Sequence, residues 1–399
     1  MKDVVIVEAT RTAIGKLGGT LINQTPDLLA AHVMKEVVSR SKIDATEIEE
    51  VILGQAKQSP DYSNLARVAT LEAGLPMSIP GYTVHRQCGS GLEALNSAAT
   101  LIQSGHAEVV LCGGAESMST APYYVNGVRF GVNAGNIELR DPNTASQPGS
   151  QPFKDYGNIT MGQTADNIAK KYGITREEQD KFALQSQQRA KKAIVEGRFK
   201  QQITSYTIKS RKSEIVFDTD EHPRETSLEK LGNLKAVFTK DGSVTAGNAS
   251  GRNDGASALL VMTKEKAQAL GYTHGLRVIN FASAGVEPDF MGLGPIPATQ
   301  KALNKAKLDF SDLDVIELNE AFAAQCLAFY REFNVDLTSE RINPNGGAIA
   351  LGHPIGATGS ILITKLFYEL QRINGRYGLV TLCIAGGLGI ATIFERVEL

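Results

Sequence analysis

The chain has 399 residues, of which 42% are hydrophobic and 21% charged, and its formal net charge is −2. This length predicts two or three domains, and the near-neutral charge gives no indication of a nucleic-acid or membrane partner. No apolar run approaches the ~20 residues that a membrane-spanning helix needs, and residues 1–12 are typical of a first β-strand rather than of a signal peptide. We therefore expect a cytoplasmic protein.

Two parts of the chain resemble each other. Residues 47–56 read EIEEVILGQA and residues 312–321 read DLDVIELNEA, 265 positions later. The same offset pairs Cys88 with His353, and each is followed by a glycine-rich turn that opens an amphipathic helix. The apolar strands after those helices contain Cys112 and Cys383, which pair at an offset of 271. Any two α/β segments share some likeness, but three matched landmarks predict a duplication.

Unbroken apolar strands alternate with helices in both parts, which predicts parallel strands covered on both faces. Between them, residues 121–248 are rich in Gly, Asn, Pro and Gln and contain a helix pair, with Thr175 as a helix cap and Glu178 completing a capping box. We expect an inserted loop domain there, over the junction of the halves. The predicted domains are 1–120 with 249–270, then 121–248, and then 271–399.

A duplicated architecture brings equivalent loops together, here those at Cys88, His353, Asn319 and Cys383. A thiol at a helix start, beside an imidazole, is suited to nucleophilic catalysis. The alternatives are a buried structural cysteine at Cys88, a hydrogen-bonded turn residue at His353, and a helix cap at Asn319. Cys112 and Cys326 are interpreted as structural. A zinc site from Cys88, His353 and Cys383 has no close-spaced ligand pair to support it, and we predict no metal.

Several motifs together resemble the signatures of the thiolase family, in the family's order. They are Cys88-Gly89-Ser90-Gly91-Leu92, GGAESMS at 113–119, VTAGNASGRNDGA at 244–256, GPIPA at 294–298, Asn319-Glu320-Ala321-Phe322, Gly352-His353-Pro354 and the last Cys-x-x-Gly-Gly strand.

The resemblance implies two duplicated α/β halves in a five-layer α-β-α-β-α arrangement. It implies a transferase of fatty acid metabolism that condenses two acetyl-CoA molecules to acetoacetyl-CoA through a cysteine acyl-enzyme, or runs the reverse thiolysis. Acyl-CoA and coenzyme A are then the substrates, and no further cofactor is needed. A homo-oligomer, dimer or tetramer, is implied as well, with residues 122–133 similar to the family's tetramer contact.

The resemblance also assigns roles residue by residue. Cys88 resembles the nucleophile, His353 its activating base, and Cys383 the acid/base at the substrate α-carbon. His353 and Asn319, the latter through a water, would hold one thioester oxygen, while the N–H groups of Cys88 and Ala385 would hold another. The residues that match positions contacting coenzyme A are Ser250, Ala246, Met161 and Arg224.

Three departures from the family pattern leave alternatives open. His85 stands where the family has Asn, Ala385 where it has Gly, and Thr160 where short-chain members have His. The alternatives are a longer-chain 3-ketoacyl-CoA thiolase of fatty-acid degradation and a catalytically weakened CoA-binding or scaffolding subunit.

Overall fold

The computed structural model describes residues 2–209 and 213–399. Its strands are β1 (Val4–Arg11), β2 (Gly15–Lys16), β3 (Glu50–Gly54), β4 (Gly81–Val84), β5 (Val109–Ser117), β6 (Tyr206–Lys209), β7 (Glu214–Phe217), β8 (Asn253–Thr263), β9 (His274–Gly285), β10 (Val315–Leu318), β11 (Tyr377–Ile384) and β12 (Leu388–Glu398). Its α-helices are α1 (Pro26–Ser41), α2 (Leu65–Glu72), α3 (Ser90–Gln103), α4 (Pro142–Ala145), α5 (Phe153–Tyr156), α6 (Met161–Tyr172), α7 (Arg176–Val195), α8 (Leu228–Gly232), α9 (Lys264–Ala269), α10 (Pro295–Ala306), α11 (Ala323–Glu332), α12 (Ala348–Leu351) and α13 (Thr358–Ile373).

Within the described residues, one sheet has the strand order β4-β3-β5-β8-β1-β9-β12-β11-β10, with β2 added beside β8. β3 is parallel to β4 and to β5, and β10 is parallel to β11. The other ladders of this sheet are antiparallel. The prediction of parallel strands is therefore wrong for the middle of the sheet. The physical reason is clearest at β11 and β12, which a short turn joins without the crossover helix that parallel neighbours need.

The two halves of the sheet repeat one pairing pattern. The first half has the order β4-β3-β5-β8-β1, and the second has β10-β11-β12-β9. In the first half, β4 pairs with β3. At the corresponding place in the second half, a parallel bridge joins Ile316 of β10 to Ile342. Helices α3 and α13 each precede the strand that pairs in parallel with β3 or β10. The predicted duplication is confirmed.

The predicted residue equivalences need a correction of three positions. Glu50 on β3 lies opposite Val110, whereas Val315 on β10, 265 positions later, lies opposite Gly378, which is 268 after Val110. Helices α3 and α13 also start 268 positions apart. The second copy thus carries three extra residues before its helix.

With this correction, neither of the two predicted equivalences that involve a cysteine holds. With the offset of 268, Cys112 corresponds to Val380 and not to Cys383. By the same shift, Cys88 corresponds to Gly356 in the turn before α13, and not to His353. Cys88 and His353 therefore lie at the same junction between the halves, but they do not occupy equivalent positions in the two copies.

Side chains on successive strand positions enter different cores. On β1, Val4 and Ile6 pack into a central core that contains α3, α13 and strands of both halves. Val5 and Val7 pack into an outer core with α1 and α2, and α10 and α11 cover the other outer face. This alternation follows from the two-residue period of a strand. The expected five layers, α-β-α-β-α, are confirmed.

The region between the halves carries α4 to α8 and the hairpin of β6 and β7. The predicted cap of α7 is confirmed, since Thr175 and Glu178 form a capping box, and Thr160 and Gln163 form another at the start of α6. β8 returns to the sheet between β1 and β5. The domain boundaries at 120, 248 and 270 remain a proposal. In the part of the chain described, no helix is long and apolar enough to cross a membrane.

A buried ion pair ties α13 to β10. Lys365 Nζ lies 2.6 Å from Glu317 Oε2, and both side chains are fully buried. Nζ also donates to the carbonyl of Gly346 at 2.8 Å. Burial raises the pKa of Glu317 to about 7, and the lysine opposes that rise. The carboxylate therefore depends on Lys365 for its charge.

We expect Lys365→Met to lower the free energy of unfolding by about 3–5 kcal/mol, because it leaves a buried carboxylate without its partner. Urea denaturation measures the change. The double variant Lys365→Met, Glu317→Leu should regain most of it, since no charge is then stranded. Lys181→Met is the matched control, because its pair with Glu177 is exposed. A Lys365→Met protein as stable as the wild type would contradict this account.

Candidate active site

A cavity at the junction of the halves brings together Cys88, His353, Cys383, Met161 and Ser250. Other residues line it as well, and they come from both halves and from the inserted region: Lys57, Gln87, Met118, Asn143, Ser146, Gln147, Gly162, Phe238, Ala249, Gly251, Arg252, Met291, Ala321, Phe322, Ile355 and Ala385. Segments that are distant in sequence thus meet around one thiol.

Cys88 lies in a tight turn between β4 and α3. Gln87, the residue before it, has a φ of 44°, a left-handed conformation that is uncommon for a residue with a side chain. The hydroxyl of Ser90 donates to the Gln87 carbonyl at 2.6 Å and accepts from the Arg86 N–H at 2.9 Å. A Cβ on Gly89 would lie 2.6 Å from Ile384 Cδ1, so a larger residue here would displace the end of that side chain. The turn therefore holds the sulfur at the start of α3, against the end of β11.

Opposing effects set the charge of Cys88. Burial raises the pKa of its thiol, and this effect is the largest. The positive charge of Lys57 lowers that pKa, as do hydrogen bonds from the backbone N–H groups of Ala385 and of Cys88 itself. Both N–H groups thus favour the thiolate form of Cys88. They are the pair that the resemblance assigned to an oxyanion hole, and the alanine at 385 keeps its donor in place.

The hydrogen bonds of His353 fix its tautomer. Its Nδ1 lies 2.6 Å from the Thr358 hydroxyl, and that hydroxyl donates its single hydrogen to the Pro354 carbonyl at 2.9 Å. Thr358 must therefore accept, so the neutral ring carries its hydrogen on Nδ1. Nε2 is buried and finds no hydrogen-bond partner within residues 2–209 and 213–399. Burial, with a contribution from Lys57, lowers the pKa of His353 to about 4. At neutral pH the ring is an uncharged base.

Asn319 follows β10 and lies behind the cavity wall rather than in it. Its side chain is fully buried, and its backbone N–H donates to the Thr381 carbonyl at 3.0 Å. Neither end of its amide has a hydrogen-bond partner among the described residues. Ala321 and Phe322 form the adjacent wall. A buried amide with both ends unpaired fits a role in holding a water.

Cys383 is the last-but-one residue of β11 and lines the cavity beside Cys88. Burial raises the pKa of its thiol far above the ordinary value, and the neighbouring Cys88 sulfur adds to the rise. In the resting protein Cys383 is therefore a protonated thiol. Such a group can give a proton away and, once it has done so, is a strong base.

The four predicted coenzyme A contacts fall into two places. Ser250 and Met161 line the cavity, and the Ser250 N–H donates to the Ala321 carbonyl at 2.9 Å. Ala246 and Arg224 do not line it. They lie together on the exposed surface, where Arg224 Nη2 donates to the Ala246 carbonyl at 3.0 Å. An elongated ligand would have to extend from one place to the other.

Two departures from the family pattern have local explanations. Thr160 caps α6, and Gln163 Oε1 accepts from the Thr160 N–H at 2.7 Å, so this residue orients the helix that brings Met161 to the cavity. His85 is exposed, and burial of part of its ring lowers its pKa while the neighbouring Gln87 raises it. It does not line the cavity among the described residues.

Sequence reasoning missed Lys57 and Glu116. Lys57 follows β3 and lines the cavity, although only 5% of it is exposed. Glu116, inside the GGAESMS motif, accepts backbone N–H bonds from Ala56, Lys57 and Gly356 at 2.9–3.0 Å. It thus joins the loop of Lys57 to the turn after His353. The available signal was the position of Lys57 after a buried strand, where parallel sheets place their sites.

The residues at 2–209 and 213–399 contain no group of three or more His, Cys, Asp or Glu side chains arranged to hold a metal ion.

We expect a short iodoacetamide pulse on the native protein to label Cys88 and to spare the other three cysteines. Cys88 is half-buried, whereas Cys112, Cys326 and Cys383 have at most 1% exposure. Peptide mass spectrometry reports the sites, and the urea-unfolded chain should take up label at all four. A Cys88→Ala protein should stay unlabelled. Labelling of Cys112 or Cys326 as fast as Cys88 would contradict the described burial.

Comparison with known proteins agrees with this geometry. Residues 4–265 match the family model "Thiolase, N-terminal domain", and residues 272–396 match "Thiolase, C-terminal domain". The chain is 49% identical to an acetyl-CoA acetyltransferase of Pseudomonas aeruginosa, over 99% of this chain and 100% of that protein. It is 46% identical to a 3-oxoadipyl-CoA/3-oxo-5,6-dehydrosuberyl-CoA thiolase of Escherichia coli, over the full length of both.

A crystal structure of the Bacillus anthracis acetyl-CoA acetyltransferase superposes with a TM-score of 0.96 at 46% identity, covering 100% of this chain and 99% of that one. Both family models and the full-length relatives lead to the same assignment. The chain belongs to the thiolase family.

Proposed function

We propose that this chain is an acetyl-CoA C-acetyltransferase that forms an acyl-enzyme on Cys88. The observation that carries the proposal is one cavity that contains the thiol of Cys88, the imidazole of His353 with its buried Nε2, the thiol of Cys383 and the backbone of Ala385. Nucleophilic acyl transfer needs these groups: a thiol, a base, and donors for a developing oxyanion. Relatives named acetyl-CoA acetyltransferase in Pseudomonas aeruginosa and Escherichia coli support the choice of acyl group.

In the first half-reaction, Cys88 gives its proton to Nε2 of His353 and its sulfur attacks the carbonyl carbon of acetyl-CoA. The carbonyl oxygen becomes negative and accepts from the N–H groups of Cys88 and Ala385. The bond from that carbon to the CoA sulfur then breaks. The CoA thiolate takes a proton from Cys383 and leaves as coenzyme A, so that the acetyl group remains on Cys88.

In the second half-reaction, the Cys383 thiolate removes a proton from the α-carbon of a second acetyl-CoA. The negative charge that passes to its thioester oxygen is held by the N–H of His353 Nε2 and by a water on Asn319. The α-carbon attacks the acetyl group on Cys88 and acetoacetyl-CoA forms. The Cys88 sulfur leaves and regains its proton from His353. Thiolysis is the reverse sequence, and no step calls on a cofactor besides the CoA thioesters.

The coenzyme A arm is proposed to pass Ser250 and Met161 inside the cavity and to reach Ala246 and Arg224 at the surface. The large apolar side chains of Met161, Phe238 and Met291 line the cavity near the thiol. They suit a short uncharged acyl group.

The function is tested by incubating the protein with acetyl-CoA alone. We expect one acetyl group on the peptide that contains Cys88, since the first half-reaction needs no second substrate, and mass spectrometry detects it. Cys88→Ala should lose the label and the thiolysis of acetoacetyl-CoA, while the matched variant Cys112→Ala keeps both. An active Cys88→Ala enzyme would rule the mechanism out. A fast turnover of longer 3-ketoacyl-CoA with little acetoacetyl-CoA turnover would instead favour a longer-chain thiolase.

A homotetramer is the proposed assembly. The segment 123–139 exposes many large apolar side chains, among them Phe130 at 98%, Leu139 at 63% and Tyr123 at 60%. Exposed apolar groups in such number mark an interaction surface. The segment overlaps the loop that resembles the family's tetramer contact.

Light scattering of the purified protein should give the mass of four chains. Phe130→Asp with Leu139→Asp should shift it to smaller species, because two charges then oppose burial of the segment. Val195→Asp, at the equally exposed end of α7, is the control and should leave the mass unchanged. A wild-type monomer at working concentration would refute the proposal.

A cytoplasmic location and a part in fatty acid metabolism are proposed on chemical grounds. The mechanism needs Cys88 and Cys383 as free thiols, and a reducing compartment keeps them so. Acyl chains are lengthened or shortened by two carbons at a time, and acetyl-CoA and acetoacetyl-CoA are the shortest members of that series.

A further inference from the structure

Lys57 is a buried lysine beside the thiol of Cys88. Its ammonium group has no ion-pair partner among the described residues. Its side chain lines the same cavity as Cys88 and His353. The hydrogen bond of its ammonium group goes to the neutral hydroxyl of Ser146. No carboxylate of residues 2–209 and 213–399 lies within ion-pair distance of Nζ. Burying a charge without an ion-pair partner lowers the stability of the folded protein. A negative charge on the neighbouring sulfur of Cys88 favours a cation at this position.

The carboxylate of Glu116 does not neutralise Lys57 directly. Its two oxygens accept three backbone N–H groups, one of them that of Lys57 itself. Glu116 thereby fixes the backbone of the loop and leaves the ammonium group to the cavity. Lys57 is thus held in position at its backbone by Glu116 and at its end by Ser146.

The anchor of Lys57 is connected to the turn that carries the nucleophile. The Ser146 carbonyl accepts from the Ser150 hydroxyl at 2.7 Å, and that hydroxyl accepts from Gln87 Nε2 at 3.0 Å. Gln87 immediately precedes Cys88. One short loop of the inserted region therefore contacts both the lysine and the nucleophile turn.

We propose that Lys57 is a positioning residue whose ammonium group, held by Ser146, stabilises the negative charge on the Cys88 sulfur. The proposal rests on the proposed role of Cys88 as nucleophile. The sulfur is negative twice in the cycle: when it attacks the first thioester, and when it leaves the acetyl group in the condensation. A fixed cation lowers the energy of both states and does not itself transfer a proton.

The electrostatics of the surrounding groups agree with this role. Lys57 lowers the pKa of Cys88, and Cys88 in turn raises that of Lys57, although burial has the larger effect on each. Glu116 and Asp141 support the charge on Lys57, whereas Arg252 opposes it, and the charge of Glu116 also raises the pKa of Cys88, against the effect of Lys57. Lys57 also lowers the pKa of His353 and of His85. The proton taken up by His353 is therefore returned readily when Cys88 leaves.

The test is the pH dependence of Cys88 alkylation by iodoacetamide, which needs neither substrate nor turnover. In Lys57→Met the thiol loses its cation, so its apparent pKa should rise by about one unit and alkylation at pH 7 should slow about tenfold. Lys57→Arg restores the charge and should stay close to the wild type. Ser146→Ala keeps the lysine but removes its anchor, and should show a smaller shift in the same direction.

A merely structural lysine would give a different result. An alkylation profile that is unchanged in Lys57→Met and in Ser146→Ala overturns the proposal, even if activity falls. Lys57→Gln is the second neutral variant should the methionine protein fail to fold, and the same shift is expected of it. Acetylation of wild-type Cys88 by acetyl-CoA is scored separately, so a failure of the proposed function is distinguished from a failure of Lys57.

Discussion

The close approach of α3 and α13 is the constraint on which the site depends. A Cβ on Gly91 would lie 2.8 Å from the backbone nitrogen of Ser360, and one on Gly359 would lie 2.2 Å from that of Leu92. Real side chains do not tolerate such distances, so only glycine lets the helices meet here. Because Cys88 and His353 precede the starts of these two helices, the contact sets how far apart the thiol and the imidazole can be. A methyl group at either glycine would separate them.

Buried titratable groups of the site share one tendency, which is to lose charge. Burial raises the pKa of Cys88, Cys383 and Glu116 and lowers that of His353 and Lys57. What distinguishes the nucleophile is the compensation around it, since the cation of Lys57 and two backbone N–H groups lower its pKa. Cys112 on β5 is fully buried, and burial is the cause of its raised pKa. The reactivity of Cys88 thus follows from its partial exposure together with the donors and the cation around it.

Much of the fold was predictable because both halves repeat a strand, a glycine turn and a helix at similar spacing. The offset between the two copies could not be determined from the sequence alone. The second copy has three additional residues between its first strand and its helix, and no sequence feature shows where they lie. Strand direction was also beyond reach at β8 and β12, because apolar runs read alike whichever way they pair. In the site, Cys88, His353 and Cys383 were found together as predicted, and Asn319 lies just behind the wall.

Lys57 escaped notice for a different reason. A lysine in a polar stretch after a strand normally lies in solvent, and its burial here comes from Ser146, 89 positions later in the chain. Such a contact belongs to the tertiary fold, and the position of Lys57 after a buried strand is the only local signal for it. Ala246 and Arg224 illustrate the same limit, because their distance from the cavity depends on how the inserted region is folded.

The hydroxyl of Thr358 has a consequence for where protons are kept during the cycle. It accepts from Nδ1 of His353 and so leaves Nε2 as the one nitrogen that can take the proton of Cys88. In the proposed mechanism the ring receives that proton as the acyl-enzyme forms, and Cys383 becomes a thiolate when it protonates the departing CoA sulfur. The imidazolium and the thiolate cancel, so the acyl-enzyme has the same net charge as the resting protein. Every proton that one half-reaction releases is consumed within the cavity or leaves on coenzyme A, and catalysis proceeds without a proton path to bulk water.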